Sequence, residues 1–224
     1  MSVFHGVGVA TITPFDDNGI NFDEFGKILE FLIERKADSL IVCGTTGEPA
    51  TMSADERRAA IAFAVEKVRG RVPVIAGCGC NSTVETVKNA REAQALGADA
   101  LLVVTPYYNK CTQNGLFLHY SAVAEAVDIP VIVYNVPSRT GVNLLPATML
   151  RLSAVKNIAG IKEASVNVAG MEIKVAIASS TGAAQKLLDA VKAGEKQYHF
   201  IEIMGCPGGC VNGGGQPIVP AEVR

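Results

Sequence analysis

The sequence predicts an α/β protein built as an incomplete (β/α)8 barrel of the TIM-barrel type, with six regular strands. Short runs rich in Val, Ile and Leu recur roughly every 30 residues, which is the spacing of a βαβ repeat. Each run is followed by a stretch with helical periodicity, and no strand-like run alternates polar and apolar residues. Six such units in a 224-residue chain favour a barrel over a doubly wound sheet.

The sequence predicts where three helices and six strands begin. Three helices are predicted where a polar residue precedes a glutamate by three positions, since the two can satisfy each other's free amides. Gly97 is a predicted helix stop. The three helix starts are Asn21 with Glu24, Ser53 with Glu56, and Ser82 with Glu85. The six strands are predicted to begin near Val7, Leu40, Pro73, Ala100, Pro130 and Ile158.

The repeat breaks after Lys162. The next strand-like run, 173–178, follows too closely for a crossover helix, which needs at least about 10 residues. One further βαβ unit then follows, with a helix and a second strand, before a tail rich in Gly and Pro. We therefore predict a barrel portion over residues 1–167 and a different segment over 168–224. The predicted elements of that segment are a strand at 174–178, a helix at 183–193 and a strand at 198–204.

Composition narrows the classes of protein. With 49% hydrophobic and 19% charged residues, the chain can bury a large core and is not disordered. The net charge of −2, with scattered basic residues, argues against a nucleic-acid partner. The apolar runs are strand-sized, and the start of the chain does not look like a signal peptide. We expect a cytoplasmic protein with no membrane partner, whose six cysteines are free thiols or metal ligands.

Reactive side chains follow the predicted strands, whose carboxyl ends meet at one mouth in a parallel barrel. Lys162 is either a lysine that reaches solvent or a Schiff-base nucleophile, for which a neutral amine is required. Tyr134 is either a core aromatic or a proton carrier linked through a hydroxyl such as Thr46. Arg139 is either a solvated side chain or a fork for a carboxylate.

Four motifs stand in order along these strand ends. With them, residues 1 to about 166 resemble the dihydrodipicolinate synthases (4-hydroxy-tetrahydrodipicolinate synthases), which are class I lyases of the pyruvate aldolase superfamily. The motifs are Gly44-Thr-Thr-Gly-Glu48, Thr105-Pro-Tyr-Tyr-Asn109, Tyr134-Asn-Val-Pro-Ser-Arg-Thr-Gly141 and Gly160-Ile-Lys-Glu-Ala164.

The resemblance implies a catalytic assignment. Lys162 would form a Schiff base with pyruvate, as a step of lysine and diaminopimelate biosynthesis. Tyr134, Thr46 and Tyr108 would form the proton relay, and in that family the tyrosine matching Tyr108 comes from a neighbouring subunit. The resemblance therefore also implies a homo-oligomer, a dimer of dimers.

The same resemblance implies the substrate contacts. Thr45 and Thr46 would hold the pyruvate carboxylate, and Arg139 would bind the carboxylate of aspartate semialdehyde. Family members inhibited by lysine carry two histidines where this chain has Ala54 and Arg57, so we expect weak or absent lysine inhibition. No cofactor is expected for this reaction.

The tail carries a second pattern, in which Cys206 and Cys210 are four residues apart among glycines. It resembles the last cluster-binding motif of iron-iron hydrogenases, and this resemblance implies that 168–224 is a hydrogenase-like C-terminal fragment. It also implies a cubane ligand at Cys206 and a bridging thiolate at Cys210. The other cysteine motifs of that site do not occur in the sequence, so we expect no metal site. If the tail did bind an iron-sulfur cluster, Cys206 and Cys210 would be the candidate ligands. Three hypotheses stay open: a Schiff-base lyase, an iron-sulfur module, or an inactive fusion of two incomplete enzymes.

Overall fold

The computed structural model describes residues 6–162 and the backbone of strands at 166–168, 171–173, 175–178 and 200–203. Six parallel strands form one curled sheet in the order β1-β4-β5-β6-β7-β8, and each begins within one residue of its predicted start. A short antiparallel pair, β2 and β3, follows β1. The strands are β1 Gly8–Ala10, β2 Phe15–Asp16, β3 Gly19–Ile20, β4 Ser39–Val42, β5 Val74–Gly77, β6 Ala100–Val104, β7 Val131–Tyr134 and β8 Ile158–Lys162.

The helices begin where their caps predict. Asn21 and Ser82 each accept a hydrogen bond from the backbone N–H three residues on, at 3.0 and 3.3 Å. Ser53 and Glu56 form the full reciprocal capping box. Gly97 has φ +91° just after a helix, as expected of a stop. The helices are α1 Phe22–Glu34, α2 Ala54–Val68, α3 Thr83–Ala95, α4 Gln113–Glu125, α5 Pro137–Thr140 and α6 Pro146–Leu152.

Alternate residues of the strands enter two separate apolar clusters. One lies between the sheet and the helices and takes Leu101 and Val103 from β6. The other lies on the inner face and takes Leu102 from β6 and Tyr134 from β7. Because side chains alternate across a strand, one run of apolar residues supplies both faces. We call these the outer cluster and the inner cluster. The buried members of the inner cluster are Ile41, Ile75, Ala100, Leu102 and Tyr134.

A β-bulge sets the position of the last strand of this sheet. Val131 pairs with Ile158, but the next residue of β7, Ile132, pairs with Gly160, so Ala159 is the extra residue. Beyond the bulge Tyr134 pairs directly with Lys162. Paired residues on neighbouring strands share a face, so Lys162 lies on the face of the inner cluster.

Beyond Lys162 the two further strands that the sequence predicts are present. They are β11 Val175–Ala178 and β12 Phe200–Ile203, which pair in parallel, and the backbone of β12 lies near β1. The hairpin of β9 Val166–Val168 and β10 Met171–Ile173 stands where a change of architecture was expected, but its strands were not predicted. The predicted helix at 183–193 and the cysteines at 206 and 210 lie outside the described residues.

In the part of the chain that the structure describes, no helix is long and apolar enough to cross a membrane.

Candidate active site

Lys162 and Tyr134 form the centre of the candidate site. The Lys162 side chain is only 4% exposed, and its Nζ lies 4.0 Å from the centroid of the Tyr134 ring. A buried lysine is rare, because removing an ammonium group from water is costly. The structure therefore brings together the two residues that the sequence singled out as nucleophile and proton carrier.

Backbone hydrogen bonds fix the ends of the two strands. The Asn135 N–H donates to the Lys162 carbonyl oxygen at 3.1 Å, and the Thr105 N–H donates to the Tyr134 carbonyl oxygen at 2.9 Å. The three strand ends β6, β7 and β8 are thus held in one register. In a parallel sheet this edge is where catalytic side chains usually lie.

The turn after β4 carries the two threonines. Residues Thr45–Gly47 form a 3-10 turn in which Thr45 is exposed and Thr46 is buried, with 9% exposure. The Thr13 hydroxyl fastens the turn by donating to the Gly47 carbonyl oxygen at 2.9 Å. Among the described residues no hydrogen bond joins Thr46 to Tyr134, so the predicted relay is not assembled by a direct contact within one chain.

Close backbone packing supports that turn, which sequence reasoning did not foresee. Cys43, just before it, has φ +55°, a left-handed conformation that is uncommon for a residue with a side chain. A Cβ at Gly77 on the next strand would lie 2.0 Å from the Cys43 carbonyl oxygen. Only glycine fits there, and the one hint in the sequence is the glycine that ends a predicted strand.

Tyr108 differs from Lys162 in its exposure to solvent. It is 85% exposed, with φ +70°, in the segment between β6 and α4. A left-handed conformation is uncommon for a bulky side chain, and burial among the described residues does not account for it here. This is the arrangement expected of a residue that another copy of the chain would bury, as the resemblance implies.

Arg139 lies on the short helix α5 and is exposed. Within residues 6–162 it forms no ion pair, so its guanidinium is available to an anionic ligand. The predicted role as a carboxylate fork is compatible with this placement.

The described cysteines do not form a metal centre. Burial raises the pKa of the Cys43 and Cys78 thiols to about 12, so both are protonated at neutral pH. Among residues that the structure describes, no three His, Cys, Asp or Glu side chains are grouped to hold a metal ion. Cys206 and Cys210 are outside those residues, and the iron-sulfur hypothesis stays a prediction.

Comparisons with known sequences identify related proteins. Residues 3–197 match the model of the Dihydrodipicolinate synthetase family. The 4-hydroxy-tetrahydrodipicolinate synthase of Thermoanaerobacter sp. (strain X514) is 55% identical over 166 residues, covering 74% of this chain and 56% of that protein. The synthase of Acetivibrio thermocellus is 51% identical over 173 residues, covering 77% and 59%. The chain thus spans little more than half the length of these relatives.

Solved structures share the fold. The dihydrodipicolinate synthase from Aquifex aeolicus superposes with a TM-score of 0.71 at 38% identity, covering 89% of this chain and 63% of that one. The enzyme from Acinetobacter baumannii, solved in complex with pyruvate, gives a TM-score of 0.70 at 40% identity, covering 88% and 62%. These neighbours confirm the predicted incomplete barrel.

Proposed function

Because the chain belongs to the dihydrodipicolinate synthetase family, we propose that it condenses pyruvate with aspartate semialdehyde through a Schiff base on Lys162. The observation that carries this proposal is the buried amine of Lys162 against the Tyr134 ring at the carboxyl ends of the parallel strands. The reaction is a step of lysine and diaminopimelate biosynthesis, which takes place in the cytoplasm.

The first half of the reaction forms the covalent intermediate. The amine of Lys162 adds to the C2 carbonyl of pyruvate. The carbonyl oxygen takes a proton from the Tyr134 hydroxyl, and the added nitrogen gives one back to the tyrosine oxygen. The resulting carbinolamine loses water and leaves a Schiff base between Nζ and C2. Loss of a C3 proton then gives an enamine, whose C3 is the nucleophile for the next step.

The second half builds the product. The enamine C3 adds to the aldehyde carbon of aspartate semialdehyde. The aldehyde oxygen takes a proton and becomes the hydroxyl group of the product. The substrate's own amine then attacks C2 and displaces Lys162, which closes the ring as 4-hydroxy-tetrahydrodipicolinate. One water is lost overall, and the lysine is regenerated.

The remaining assignments concern binding and proton movement. The hydroxyls of Thr45 and Thr46 hold the pyruvate carboxylate, and Arg139 holds that of aspartate semialdehyde. The relay runs through Tyr134, Thr46 and Tyr108, with Tyr108 supplied by a neighbouring copy. The exposure of Tyr108 and of Arg139 supports these roles. The assembly, a dimer of dimers, rests on the resemblance.

The test is the stoichiometric consumption of both substrates by the purified full chain. Pyruvate and aspartate semialdehyde should disappear one for one, and Lys162→Arg should abolish the reaction. Lys156→Arg, an exposed lysine six residues earlier, is the matched control and should keep the wild-type rate. A folded wild-type chain that consumes neither substrate would contradict the proposal and favour an inactive fusion.

A further inference from the structure

One buried side chain contacts both ends of the loop that carries Arg139. Asn135 follows β7 and is 2% exposed. Its Oδ1 accepts a hydrogen bond from the Leu144 N–H at 3.0 Å, and its Nδ2 donates to Asn143 Oδ1 at 2.9 Å. A single carboxamide therefore joins the two ends of the segment 136–143.

The same residue is fastened to the strand of the nucleophile. The Asn135 backbone N–H donates to the carbonyl oxygen of Lys162 at 3.1 Å. The chain of contacts from Lys162 to the end of the Arg139 loop thus passes through one residue, by its backbone on one side and by its side chain on the other.

Other contacts hold the interior and the outer side of the loop. The Thr140 Oγ1 lies 3.2 Å from the Val136 carbonyl oxygen and 3.0 Å from that of Val142. From α4, the Gln113 Nε2 donates to the Asn143 carbonyl oxygen at 2.8 Å. The loop is therefore closed by hydrogen bonds, and Asn135 ties it to the sheet.

We propose that Asn135 is a positioning residue, which places Arg139 to receive the carboxylate of the second substrate. The inference deepens the proposed function and rests on it. Binding a carboxylate with a guanidinium requires a fixed direction of approach, and a loose loop would have to be ordered at each binding event. The carboxamide of Asn135 supplies the donor for Asn143 and the acceptor for Leu144 at once.

Two substitutions at the exposed partner, Asn143, isolate this contact without altering the buried residue. Asn143→Ala removes the acceptor for Asn135 Nδ2, whereas Asn143→Asp keeps an acceptor oxygen in place. Asn135→Ser removes both hydrogen bonds. Each variant is made in the full chain and compared with wild type for its urea unfolding midpoint.

The readout is the protection of Arg139 from phenylglyoxal, measured by mass spectrometry of its peptide, by succinic semialdehyde. This probe has the carboxylate and aldehyde of the second substrate without its amine, and it requires no turnover. We expect the half-protecting concentration to rise about fivefold in Asn143→Ala and about tenfold in Asn135→Ser, and to stay within about twofold in Asn143→Asp. Reduction of the pyruvate adduct on Lys162 by borohydride should be unchanged in all three.

Each other outcome overturns the inference. Unchanged protection in both Asn143→Ala and Asn135→Ser would show that the loop does not depend on Asn135. A parallel loss of pyruvate adduct and protection would show a general structural role. A wild-type chain that forms the pyruvate adduct but shows no protection would refute the inference alone, whereas a folded wild-type chain that forms no adduct would refute the proposed function.

Discussion

The two faces of the curled sheet differ in size and in chemistry. Within residues 6–162 the outer cluster contains 30 buried residues, nearly all aliphatic or aromatic, whereas the inner cluster has five. The inner face ends in Tyr134 and Lys162, and the outer cluster takes buried residues from the helices α1 to α4 and α6. Stability should therefore depend on the outer face, because burial of apolar area dominates folding, and reactivity should depend on the inner one.

The division explains how a lysine can be buried here. Its ring contact and its place in the sheet come from the register with β7, whereas its β8 neighbours Ile158 and Ile161 pack against the outer cluster on the opposite face. Substitutions on the outer face should then have little effect on reactivity, and substitutions on the inner face should have little effect on stability. Substitutions on each face can test this separation.

The largest effect on stability is expected at Leu101, which is fully buried in the outer cluster. Leu101→Ala should lower the free energy of unfolding by about 3 kcal/mol, because it removes apolar contacts and leaves a cavity. Leu102→Ala, at the neighbouring inner position, is the matched control and should cost clearly less, since its cluster is small. Urea unfolding measures both, and an equal loss at the two positions would break the comparison.

A second effect concerns catalysis at the rim of the inner face. If Thr46 carries the proton relay, Thr46→Val should slow the exchange of the pyruvate methyl protons with deuterated solvent by about a hundredfold. Thr45→Val should instead weaken pyruvate binding with less effect on the maximal exchange rate. Proton NMR of pyruvate in deuterated buffer measures both quantities.

The structure makes this pair of substitutions decisive, because the exposed hydroxyl on the turn is that of Thr45. A hundredfold slower exchange in Thr45→Val, with little change in Thr46→Val, would transfer the relay role to Thr45. Neither substitution should change the unfolding midpoint by more than a small amount, as both lie away from the outer cluster.

A third effect is the pH dependence of stability from His119, which lies on α4 and contacts α3. The side chain is 3% exposed, its Nδ1 lies 2.9 Å from Thr83 Oγ1, and its Nε2 finds no partner among the described residues. Burial lowers the pKa of His119 from 6.5 to about 4. Between those two values the unfolded chain binds more protons than the folded one, so stability falls as the pH falls.

From pH 7 to pH 5 the loss due to His119 should be about 2 kcal/mol. His119→Gln retains a polar contact for Thr83 and cannot titrate, so its free energy of unfolding should change less over this range by that amount. Urea unfolding at the two pH values gives the difference. Identical pH dependence in wild type and variant would show that the histidine is not the cause.

The sequence predicted the sheet well because its strands are buried on both faces and its helices start at caps. The strand starts, the caps at Asn21, Ser53 and Ser82, and the stop at Gly97 were all found. The hairpin of β9 and β10 was not predicted, because short strands leave too little periodicity to read.

The sequence offered candidate site residues but not their geometry. Motifs identified Lys162, Tyr134 and Arg139, because their chemistry shows in single residues. The role of Asn135 depends on hydrogen bonds that close a loop, and the need for glycine at 77 depends on the approach of another strand. Such features arise from tertiary contacts, which one sequence does not reveal.

Capture of the Schiff base tests most directly whether Lys162 is the nucleophile. The full chain is mixed with pyruvate, reduced with borohydride, digested and analysed by mass spectrometry. We expect one carboxyethyl group on the peptide that contains Lys162, present in wild type and in Lys156→Arg and absent in Lys162→Arg. A carboxyethyl group on a different lysine, or none in a folded wild-type chain, would contradict it.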